Sequence, residues 1–278
     1  MRRIVGGAIY ALSTLLGVLA LLYPLIIRSP WAAAQGARAQ DAPLVTAALV
    51  GLSLLALLVE MQGEAIGAKT VAMLGVLVAI ASVLRFLDLL VPLPGGFSPV
   101  FAPIILAGYV FGARFGFLMG VFTLLASALI TGGVGPWLPY QMLASGWVGM
   151  TAGWLRVLGL PGAREGRVTL PEMGLLTACG LVWGLLFGAI TNLYFWPYAS
   201  VPAAQSWEAG IDLREVLVRF GAFYAATSFP WDLARAAGNV ALVLLLGAPM
   251  VRALTRFRRR FHFRMGPAVR PEGVGDGA

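Results

Sequence analysis

The sequence predicts an all-α fold, a polytopic bundle of membrane-crossing helices, and three observations carry that prediction. The 278 residues are 59% hydrophobic and only 12% charged, with a strongly positive mean hydropathy, which lies outside the range of soluble domains. Residues 4–27, 43–59 and 173–194 hold no charged side chain and approach or exceed the roughly 20 residues a helix needs to cross a bilayer. Five further apolar runs, 70–91, 100–113, 115–131, 138–155 and 231–251, are shorter or interrupted but follow the same logic. Eight spans are expected.

The first run is too long for an ordinary signal peptide and lacks a suitable small-residue cleavage site, so it reads as a retained helix. With the second it forms an added N-terminal pair, residues 1–64, set apart by the polar joint MQGEAIGAK. Residues 65–257 hold the other six spans and nearly all the turn chemistry and buried polar groups. Residues 258–278 form a basic tail, expected to be disordered.

Within the six-span unit, Ala68, Ala72, Gly75, Ala79 and Ser82 advance by four, three, four and three, which aligns small side chains where another backbone can approach. Spacing alone favours packing within this chain over contact with a separate subunit. The fourth and fifth spans are joined by a short link, 112–115. Before the sixth stands ITGGVGPWLPYQ: glycines permit a sharp reversal, and prolines fix the start of the next helix where its first amides have no partner anyway. Gln141 then projects from a rigid rim. Residues 196–230 are a long connection of the kind that forms lids, binding elements or linkers. In it, Leu213, Val216, Leu217 and Phe220 share one helical face, as in an interfacial amphipathic helix.

Orientation follows from the basic residues, which stay cytoplasmic in short flanking loops. Placing both termini inside collects Arg2, Arg3, Lys69, Arg114, Arg156, Arg164, Arg167, Arg252, Arg256, Arg258, Arg259, Arg260, Arg264 and Arg270, and leaves Arg28, Arg38, Arg214 and Arg219 outside. Fourteen against four explains the net charge of +8 by topology, so no nucleic acid partner is needed. The tail RFRRRFHFR is expected to meet anionic lipid headgroups. Cys179 and His262 are the only residues of their types, which excludes an intrachain disulfide and thiol metal clusters and leaves no expected metal site.

Charges within spans are costly and mark pairing, cavities or function. Arg85 and Asp88 sit three apart near the outer end of their span, Asp232 and Arg235 repeat that spacing in the last span, and Asn239 lies a turn deeper. Gln141 opens the sixth span, while Asn192 and Tyr194 close the seventh. Trp137, Tyr140, Tyr194 and Trp196 supply aromatic walls at the same depth. Convergence there argues for a pocket opening outward, above inner halves that are almost purely apolar. The midplane carboxylates or broken helices of an ion-coupled carrier are not evident, nor is the nucleophile and base of an enzyme. A phosphate-cradling Gly-Lys-Ser/Thr loop is absent as well.

The stretch SPVFAPIILAGYVFGARFGFLMGVFTLLASALITGGVGPWLPYQMLASGWVGMTAG, with PWDLARAAGNVALVLLLG and AKTVAMLGVLVAIASVLRFL, closely resembles the substrate-binding S components of energy-coupling factor (ECF) transporters. The resemblance covers the six-span unit and excludes the first two spans and the tail. It implies a six-helix S-component-like core that captures a vitamin or similar micronutrient from outside a bacterial cytoplasmic membrane. It also implies a membrane coupling protein and two cytoplasmic ATPase subunits as partners, with no catalysis or cofactor in this chain. The family's Ala-xxx-Ala contact maps to Ala68 and Ala72, which turns the stripe with Gly75 and Ala79 into a docking face. Substrate contacts are implied at Tyr140, Gln141, Asn192, Tyr194, Asp232, Arg235 and Asn239. The histidine-containing metal-chelating amino terminus of cobalt and nickel members is missing from MRRIV, so a metal substrate is not expected. The runner-up reading is an ion-coupled secondary transporter of a small organic solute.

Overall fold

The computed structural model describes residues 2–26, 43–45, 47–56, 68–90, 97–208 and 210–261. In chain order the helices are α1 (Arg2–Ile26), α2 (Pro43–Ala56), α3 (Ala68–Leu90), α4 (Phe101–Phe111), α5 (Ala113–Thr131), α6 (Leu138–Leu155), α7 (Pro161–Glu165), α8 (Leu170–Phe195), α9 (Leu213–Thr227) and α10 (Phe229–Phe261). No strand occurs among the described residues. Four stretches there, Ala68–Asp88, Ala113–Thr131, Leu170–Tyr198 and Phe229–Arg259, are long and apolar enough to cross a membrane. The His262 end of the basic tail, Arg28, Arg38 and most of the polar joint lie outside the described residues.

The heart of the bundle is α4. Its 11 residues span about 16 Å at roughly 1.5 Å per residue, half the hydrocarbon thickness of a bilayer. Every residue from Phe101 to Val110 is buried, because α5, α6, α8 and α10 surround it. A continuous apolar run reads alike for a helix wrapped in lipid and one wrapped in protein, and only packing separates them. Gly112, at φ 103° and ψ 171°, reverses the chain in one residue, so α5 begins at Ala113.

The closest helix pair is α5 with α6. A methyl group on Gly116 would stand 2.2 Å from the Gly149 carbonyl oxygen, and one on Gly120 would stand 2.1 Å from that of Ser145. Backbones in such contact gain dispersion energy that lipid does not offer. The tightest small-residue seam is therefore on α5 and α6, while the α3 stripe faces away from the bundle: Ala68, Ala72, Gly75 and Ala79 are exposed, and a methyl on Gly75 would meet nothing within 4 Å. Ser82 turns inward instead, its hydroxyl donating to the Thr123 carbonyl at 3.4 Å. Of the added N-terminal helices, α1 packs on α6, where Trp147 Nε1 donates to Thr14 Oγ1 at 3.3 Å, and Tyr10 reaches Phe117 of α5 edge to face.

At the arginine-rich end, Glu172 is fully buried. Its carboxylate accepts from the Tyr109 hydroxyl of α4, the Gly162 amide of α7 at 2.6 Å, and the Thr169 amide and hydroxyl at 2.8 and 3.0 Å. The Thr169 and Glu172 pair is a reciprocal capping box. The helix ends expected to be purely apolar are not, because one carboxylate fastens three helices at the arginine-rich end. The last helix also continues past residue 257, through the arginines expected to begin a disordered tail, and Arg258 donates to the Val110 carbonyl at 2.6 Å.

Candidate functional site

The opposite end of the bundle gathers the polar side chains, and it is built on the α8 and α10 pair. Gly180, Gly184 and Gly188 recur every four residues along one face of α8. Across from them lie Asn239, Ala236 and Asp232 of α10, in antiparallel register. The missing side chains on α8 give α10 room to turn a polar face inward.

Asp232 is buried and pairs with Arg235 one turn along. The Arg235 guanidinium lies over the Phe187 ring, 5.4 Å from its centroid, and donates to the Gly184 carbonyl at 3.3 Å. That geometry combines a charge-assisted bond with a cation–π contact. Asn239 donates to the Gly180 carbonyl at 3.1 Å. Two acceptor atoms, Asp232 Oδ2 and Asn239 Oδ1, are buried without a hydrogen bond among the described residues, and buried acceptors left unmatched are costly.

Arg85 and Asp88 of α3 share the same spacing but do not close into an ion pair. Arg85 instead lies within the electrostatic reach of both Asp88 and Arg235, and its guanidinium makes no hydrogen bond among the described residues. Two guanidiniums from different helices therefore face one region, and only one of them is bonded.

The aromatic candidates divide. Tyr140 of α6 and Tyr194 of α8 stack with centroids 4.7 Å apart and planes 28° apart, which joins the two helices beside the polar cluster. The Gln141 side chain, half-buried, makes no hydrogen bond among the described residues, so its carboxamide is uncommitted there, while its backbone amide donates to the Trp137 carbonyl at 3.1 Å. Trp137 is committed to its own turn: α5 ends at Gly132 in the left-handed conformation, φ 67°, and the Trp137 indole donates back to the Gly133 carbonyl at 3.2 Å. The rigid rim inferred for the ITGGVGPWLPYQ segment has this construction. Trp196 is buried, donating to the Gln205 carbonyl at 2.7 Å and meeting Phe220 edge to face, so it organises the long connection.

That connection is folded onto the site. Asn192 donates to Thr227 Oγ1 at 3.1 Å, fastening the end of α8 to α9. The expected apolar face of α9 is split: Phe223 is buried and Val216 and Phe220 are half-buried, while Leu213 and Leu217 point away. Tyr224, which sequence reasoning did not single out, donates to the Leu185 carbonyl at 3.3 Å and stands beside Asp232. Burial and the neighbouring carboxylate push its phenol up to about 12, so it remains a donor throughout the physiological range. Phe187 and the three α8 glycines were also overlooked, although their four-residue spacing was legible.

Among the described residues, no group of three or more His, Cys, Asp or Glu is placed to hold a metal ion. A family model described as "ECF transporter, substrate-specific component" matches residues 69–247. No curated protein and no solved structure matches the chain.

Proposed function

Because the chain belongs to the family of substrate-specific components of ECF transporters, its model covering well over half of the sequence, we propose that this multi-pass membrane protein captures a vitamin-sized molecule at the end bearing Arg235 and Tyr140. That end faces outward, both termini lie in the bacterial cytoplasm, and a membrane coupling protein with two ATPases supplies the energy for import. The observation that carries the reading is the asymmetry of the bundle. Bonding groups from α3, α6, α8 and α10 converge at one end, and beneath them α4 is buried along nearly its whole length, a closed apolar floor.

Arg235 and Arg85 suit an acidic or strongly polar group on the substrate, the uncommitted Gln141 amide suits a second polar edge, and the stacked Tyr140 and Tyr194 suit a planar or amphiphilic body. Docking of the coupling protein falls to the exposed face of α3 at Ala68, Ala72, Gly75 and Ala79, which neither α1 nor another described helix covers.

The test is uptake into proteoliposomes. Accumulation against a gradient is expected only with the coupling protein, both ATPases and ATP present. Accumulation by this chain alone, driven by a proton or sodium gradient, would establish a secondary transporter and sink the proposal.

A further inference from the structure

A second candidate site lies at the other end of the molecule. Arg252, Arg256 and Arg259 follow one another at four and three residues along α10, so they share a face. With Thr255 they form one wall of a cavity of about 350 Å³, and Glu165 and Gly166, at the end of α7, form the other. Thr255 secures the floor by donating to the Gly162 carbonyl at 3.4 Å.

The cavity is electrostatically unbalanced. Arg252 Nε is bonded to the Ala248 carbonyl at 3.2 Å and one Arg259 nitrogen to the Arg164 carbonyl at 3.0 Å. The Arg256 guanidinium makes no hydrogen bond or ion pair among the described residues, and Glu165 forms no ion pair with any of the three. Three guanidiniums against one carboxylate leave a positive cavity, and the whole Arg256 fork with the remaining N–H groups of Arg252 and Arg259 can grip a phosphoryl group.

Location selects the source of that phosphoryl group. The apolar segment Phe229–Arg259 has 31 residues, about 46 Å of helix, against roughly 30 Å of hydrocarbon. Its final turns thus stand in the headgroup layer. Leu170 and Phe257, at the same end, are 88% and 46% exposed, an apolar rim for acyl chains. We propose that this cavity binds the phosphoryl headgroup of an anionic phospholipid.

The experiment measures binding of dioctanoyl phosphatidylglycerol, dioctanoyl phosphatidylcholine and inorganic phosphate to the purified full chain in detergent. Phosphatidylglycerol is expected to bind tightest. An Arg252→Gln, Arg256→Gln double variant should lose about thirtyfold in affinity for it, and Glu165→Gln should gain about fivefold. The gain is a direction that misfolding would not produce. Unchanged phosphatidylglycerol affinity in the double variant overturns the site. Equal binding of phosphatidylcholine overturns the selectivity, and equal binding of inorganic phosphate assigns the cavity to a soluble anion and overturns the lipid.

Discussion

Gly188 of α8 and Asp232 of α10 occupy one another's space: a methyl group on Gly188 would fall 1.7 Å from Asp232 Oδ2. The hydrogen of that glycine is what allows a buried carboxylate to sit between two helices and hold Arg235 in place. Gly188→Ala is therefore expected to displace the Asp232 and Arg235 pair and cost about 1–3 kcal/mol. Gly174→Ala, on the same helix with nothing within 4 Å of its added methyl, should be neutral. Thermal unfolding in detergent reads both, and equal behaviour would contradict the packing described.

Ligand binding should separate from folding at Gln141, whereas Arg235 also holds the buried Asp232 carboxylate, so Arg235→Ala should lower stability as well as affinity. Gln141→Ala removes a side-chain amide that makes no hydrogen bond among the described residues, and is expected to weaken substrate binding about tenfold, the worth of one good hydrogen bond. Arg235→Lys keeps the charge but loses the planar fork over Phe187, so it should fail to restore the affinity lost in Arg235→Ala. The measurement is retention of whatever small molecule co-purifies, quantified by mass spectrometry. Full retention in both Gln141→Ala and Arg235→Ala would move the pocket elsewhere.

The exposed stripe on α3 predicts the opposite separation. Ala72→Trp places a large ring on a face that is exposed among the described residues, so the protein should fold and bind substrate normally while uptake with its partners falls to background. Wild-type uptake by this variant would reject α3 as the docking face.

Glu172 makes a prediction about stability alone. Glu172→Gln retains the shape but replaces an acceptor of four hydrogen bonds with a group that must donate with one of its ends. A loss of about 1–3 kcal/mol is expected, with substrate affinity unchanged. Tyr109→Phe, which removes one donor and leaves the other three, should cost less, and a Tyr109→Phe loss exceeding that of Glu172→Gln would show that the carboxylate is not the hub.

Much of the candidate site was legible because the bilayer penalises isolated charge. Asp232, Arg235, Asn239 and Gln141 stand out against apolar runs, and their common depth follows from counting spans. Their partners did not stand out. Nothing in the spacing of Arg85 and Asp88 distinguishes them from Asp232 and Arg235, yet only the second pair closes, because Gly188 and Phe187 shape its surroundings. Trp137 and Trp196 are as aromatic as Tyr140 and Tyr194, but their indole N–H groups found carbonyls in their own loops. Glu172 escaped notice because it sits at a helix start, where a carboxylate usually caps its own amides; the reach from Tyr109 and Gly162 arises from distant segments.

The sequence by itself determined the helical class, the membrane setting and the segregation of positive charge, since each follows from composition and period summed over many residues. Tertiary structure decided which apolar helix is sheathed in protein, which small-residue seam brings backbones together, and which polar atoms keep free valences. Those outcomes depend on contacts between segments far apart in the chain, and such contacts are set by shape complementarity that no local pattern records.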